Sequence, residues 1–71
     1  MTTTVTGTYD SVDTVRNVID DLVSTGIDRE KMFADEDNKQ VKVMIPNSVE
    51  SEVREILDRH RPTNLSSSPR P

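Results

Sequence analysis

Cysteine is absent from the sequence, which removes disulfide staples, thiolate nucleophiles and Cys-ligated zinc or iron–sulfur centres from consideration. Tryptophan is absent too, and phenylalanine and tyrosine occur once each, so the chain offers no row of base-stacking rings. No window approaches the ~18 consecutive apolar residues of a membrane span, so no membrane association is expected. The opening MTTTVTGTYD has no basic segment leading into an apolar run, the pattern of an export signal. The cytoplasm is the expected location, and the Asn64-Leu65-Ser66 glycosylation pattern is then without consequence. Positive charge is in deficit: nine lysines and arginines stand against thirteen acidic residues, for a net charge of -4. That balance repels phosphate backbones and disfavours nucleic acid as a partner.

What is present is small and strongly patterned. Seventy-one residues, 31% of them hydrophobic, make one domain whose core is marginal unless more surface is buried, for instance against a second copy. TTTVTGTY alternates, with Val5, Gly7 and Tyr9 on one side and Thr4, Thr6 and Thr8 on the other, as in a strand covered on one face. Gly7 inside a strand signals close approach of a neighbouring group. In DSVDTVRNVIDDLVSTG, Asp10 or Ser11 caps a helix and Asp13 adds acid to its first turn. Val12, Val15, Val18, Ile19, Leu22 and Val23 then form one apolar stripe, and Gly26 supplies the left-handed stop.

The second half repeats the order. DEDNK supplies turn formers between a short segment, Lys31 to Ala34, and a strand with Val41, Val43 and Ile45 on one face and Lys42 and Met44 on the other. Pro46 ends that strand, Asn47 or Ser48 with Glu50 offers a capping box, and Val49, Val53, Ile56 and Leu57 form a second stripe. RPTNLSSSPRP has one large apolar residue and reads as a disordered tail. The expected architecture is α+β: a truncated ferredoxin-like two-layer sandwich, β-α-β-β-α, with two helices on one face of a three-stranded sheet. The domain spans residues 1–62 and the disordered C-terminal tail 63–71. First and third strands are expected side by side and parallel.

Few residues suggest chemistry. His60, the single histidine, falls at the end of the second helix, where a helix terminus suits its charge. Asp58, two residues away, points elsewhere. Asp35 and Asp37 could offer oxygens to a cation, but an EF-hand beginning at Asp35 would need glycine where Gln40 stands and glutamate where Pro46 stands. Asp20, Asp21, Glu50 and Glu52 read as wet helix faces. Arg54, Arg59 and Arg61 make a modest basic patch, and Phe33 is the one candidate stacker on the open sheet face. No catalytic, cofactor-binding or metal-binding residue is expected, and no cofactor.

VTGTYDSVDTVRNVIDDLVSTGIDREKM resembles the opening of the small bacterial α/β domains named after a general stress protein. Gly7, Tyr9, Asp10, Ser11, Val15, Val18, Leu22, Gly26 and Ile27 fit that family's strand, helix start, stripe and stop. Val41, Val43, Ile56, Leu57 and His60 fit its return strand and its Ile-Leu-x-x-His helix end, where Arg61-Pro62 here replaces a frequent glycine. The resemblance implies the same α/β fold and a stress-related accessory role, and carries over no catalytic residue.

The function expected from these features is that of a non-enzymatic, self-associating module, with an unidentified protein partner as a further prospect. A small-molecule-sensing regulatory domain is the alternative; an RNA binder or an enzyme is disfavoured. With the fourth strand absent, the first strand would present a free β-branched edge, so Thr4, Val5, Thr6, Gly7, Thr8 and Tyr9 are the expected edge of a homodimer.

Overall fold

The computed structural model describes residues 2–70. Its strands are β1 (Thr2–Thr8), β2 (Met32–Asp35), β3 (Gln40–Pro46) and β4 (Asn64–Arg70), and its helices are α1 (Val12–Ser24) and α2 (Glu50–Arg59). Single 3-10 turns, Arg29–Lys31 and Asn47–Val49, lead into β2 and α2. The strands form one four-stranded sheet in the order β2-β3-β1-β4, with every neighbouring pair antiparallel.

The truncated three-stranded architecture is therefore overturned. The segment read as a tail, 63–71, supplies β4 as far as Arg70, with Thr8 opposite Asn64, Val5 opposite Ser67 and Thr2 opposite Arg70. Thr63 N–H donates to Thr8 C=O at 2.7 Å and starts the ladder. The physical reason is that a ladder is made of backbone groups, which must find partners whatever the side chains are. An edge strand also tolerates proline. Leu65 is enough to turn one face inward, packing against the core.

β1 and β3 do lie side by side, with Val5 opposite Val43, but they run antiparallel. A helical crossover brings the chain back parallel to its starting strand, and that returning strand is β2. The tight turn at residues 36–39 then reverses it, and β3 fills the space between. β1 thus has neighbours on both sides. The Thr4–Tyr9 edge expected to pair with a second copy is internal.

Local signals place the helices much as their residues demand. Ser11 Oγ accepts from Thr14 N–H at 3.2 Å. At the other end Gly26 takes φ +102°, Gly26 N–H donates to Val23 C=O, and Ile27 N–H reaches Leu22 C=O at 3.2 Å, a Schellman stop. The expected capping box at Asn47 does not form. Thr3 Oγ1 instead donates to Asn47 Oδ1, and α2 begins without a side-chain cap. Val15, Val18 and Leu22 of α1 and Val53, Ile56 and Leu57 of α2 close over Val5, Val41, Val43 and Ile45 in a single core.

Candidate functional site

Both helices cover one face of the sheet and leave the other bare, so each strand sorts its residues between core and open face. Register places Phe33 opposite Lys42, Asp35 opposite Gln40, Thr4 opposite Met44 and Thr6 opposite Lys42. Ser68, Ser66 and Asn64 extend the same face beyond Thr4, Thr6 and Thr8. Phe33 and Met44 are the two large exposed apolar side chains, 63% and 49% accessible. They lie diagonally across adjacent strands, within reach of each other. Around them is a field of hydroxyls and amides, including a bond from Gln40 Nε2 to Thr8 Oγ1 at 3.3 Å.

Charge is scarce on this surface. Among the described side chains it carries one cation, Lys42, and one anion, Asp35. Asn38 donates to Asp35 through its side-chain amide at 2.8 Å and its backbone N–H at 3.2 Å. Those bonds, chiefly the side-chain one, hold the Asp35 carboxyl below the usual carboxylate range, with Lys42 adding to the effect. Asp35 is thus a turn former, while Glu36 pairs with Arg16 at 3.3 Å. No group of three or more potential metal ligands occurs among the described residues.

His60 has a carboxylate partner that sequence spacing did not reveal. Its Nε2 lies 3.0 Å from Asp21 Oδ2, and Arg59 Nη1 is 3.7 Å from the same oxygen. Asp21 belongs to α1 and His60 closes α2, so these contacts tie the two helix ends together. The signal was hidden because Asp21 falls beside Leu22 and reads as wet face until α2 is laid alongside. Arg54 is likewise committed, to Ser67 Oγ on β4 and to Glu50 at 3.9 Å. The expected basic patch is therefore partly consumed in holding β4 to α2.

Tyr9 is the buried titratable group. Its ring folds back over Gly7, where an added Cβ would stand 2.9 Å from the phenol oxygen, and its hydroxyl donates to Leu57 C=O at 2.9 Å. Burial, with a smaller push from Asp58, raises its pKa to about 12. This is a packing device linking strand to helix. No helix among the described residues is long and apolar enough to cross a membrane. No protein family, curated protein or solved structure matches the chain.

Proposed function

We propose that the chain is a small, non-enzymatic self-associating module whose contact surface is the open face of its sheet, and that the occupant is a second copy of itself. The observation that carries this reading is the make-up of that face: Phe33 and Met44 are exposed together, the two described charges beside them, Lys42 and Asp35, are of opposite sign, and hydroxyls fill the strands beyond, in a chain of net charge -4. Two like-charged copies meet at least cost where charge is depleted, and charge depletion around apolar anchors is what marks interface cores. The sheet edges are poorer candidates. β2 has 4 residues, and β4 carries Pro69, both of which blunt edge pairing. Strand rise and spacing give the face a plan area of roughly 400 Å² per copy, about half that of a standard stable interface, which makes the contact a weak and transient one.

A stress-related accessory role is the setting we propose, on the strength of the Gly7-x-Tyr9-Asp10 and Ile56-Leu57-x-x-His60 resemblance. Amide chemical shifts followed on dilution test the surface. Phe33, Lys42, Met44, Thr4 and Thr6 are expected to move together, while Arg16 and Asn17 on the outer face of α1 stay fixed. Phe33→Glu, at an exposed site, is expected to leave the fold intact and abolish the dilution shifts. Shifts confined to the helices, or unaffected by that substitution, would contradict the proposal.

A further inference from the structure

At the end of the sandwich where β1 begins and β3 ends lies an open cleft of about 520 Å³, within the ~300–1,000 Å³ of small-molecule sites. Its walls are Ile27, Met44, Ile45, Pro46 and Val49, with Thr2 and Lys31 as the polar members. Short pinned turns form both sides. Asp28 accepts from Glu30 N–H at 3.2 Å and caps the turn that ends in Lys31. The turn ending in Val49 is held where Thr3 bonds Asn47. Ile27 is fixed by its own N–H bond to Leu22 C=O. The cleft is therefore set by the fold before anything enters it.

Its electrostatics are one-sided. The chain has thirteen acidic residues, yet among the described residues no carboxylate lines this cleft and Lys31 is the one charged side chain that does. The ion pairs among the described residues involve Arg16, Arg54, Arg59 and His60, so no described carboxylate pairs with the Lys31 ammonium. A guest on the apolar walls lies beside the solvated Lys31 ammonium, and an anionic end group there gains a charge-assisted contact that a neutral one does not. A polyanion would find one cation and apolar walls, a poor match.

We infer that the cleft is a binding site for a small amphipathic monoanion, an aliphatic chain ending in a carboxylate, with the chain against Ile27, Ile45 and Val49 and the carboxylate on Lys31. The site lies within one copy and does not rest on self-association. Its test is an NMR titration of the wild type and of Lys31→Gln, at an exposed position, with sodium octanoate and with octan-1-ol as the uncharged probe of equal length. Saturable octanoate shifts at Ile27, Ile45 and Val49 are expected, with octanol weaker by up to about five-fold, the scale of one exposed ion pair. In Lys31→Gln the two probes should become equal. Absence of saturable shifts, equal binding of both probes by the wild type, or octanoate binding unchanged in Lys31→Gln would overturn the assignment. Met44 is shared by the cleft and the open face, so the titration is repeated on Phe33→Glu, where octanoate is expected to bind at least as well as to the wild type; loss of binding there would overturn the assignment.

Discussion

At the scale of single residues, Tyr9 shows how one side chain joins sequence pattern, packing and pH response. The glycine two positions earlier leaves room for its ring, and its hydroxyl satisfies the Leu57 carbonyl near the end of α2. Because burial raises its pKa to about 12, against an ordinary value of ~10 in an unfolded chain, the folded state holds this proton more tightly. The associated stability is complete below pH 10 and declines as pH rises through the window between the two values. Denaturation curves at successive alkaline pH values are expected to show this decline in the wild type and its loss in Tyr9→Phe, which should also be less stable at neutral pH by about 1 kcal/mol. Arg61 is the second telling residue. It takes φ 57° at the stop of α2, where Arg61 N–H donates to Asp58 C=O at 3.1 Å. A non-glycine residue is strained there, so Arg61→Gly is expected to stabilise by about 1 kcal/mol in thermal or denaturant unfolding. A loss of stability would mean that the arginine side chain makes a compensating contact.

At the scale of elements, the two apolar stripes and the alternation of β1 and β3 were legible because burial imposes a period on side chains. Val15, Val18 and Leu22, and Val41, Val43 and Ile45, lie where that period puts them. β4 was illegible for the complementary reason. It sits at an edge, contacts the core through Leu65, and is held by backbone pairing with β1 and by Arg54 on Ser67. A serine-rich run bonded this way carries no apolar period to read. Missing that strand turned β1 from a central strand into an edge, and the candidate interface moved with it. His60 was read correctly as a helix-end residue, but its partner Asp21 could be found only with both helices in place. It follows that the C-terminal segment is structural: truncation after Thr63 strips β1 of a neighbour along its whole length. Urea unfolding of that truncated chain is expected to lose most of its cooperative transition, and a truncated chain as stable as the full one would refute the role assigned to β4.

At the scale of the whole molecule, a sheet with helices on one side only leaves a second side that must meet either water or another surface. Hydroxyls suit it to water, and Thr2, Thr4, Thr6, Thr8, Ser66 and Ser68 supply them. Phe33 and Met44 do not suit it to water, and the described charges beside them, Lys42 and Asp35, cancel, so the face does not share the excess of negative charge that a chain of net charge -4 would otherwise bring to a meeting of two copies. Self-association through the open face adds apolar burial without disturbing the core, which is already closed by α1 and α2. The most direct test is sedimentation equilibrium of the wild-type chain over a dilution series through the micromolar range, beside Phe33→Glu at the same concentrations. The expected result is a mass rising from 8.0 kDa toward twice that value in the wild type alone, and a wild type that stays at the monomer mass throughout would contradict the account.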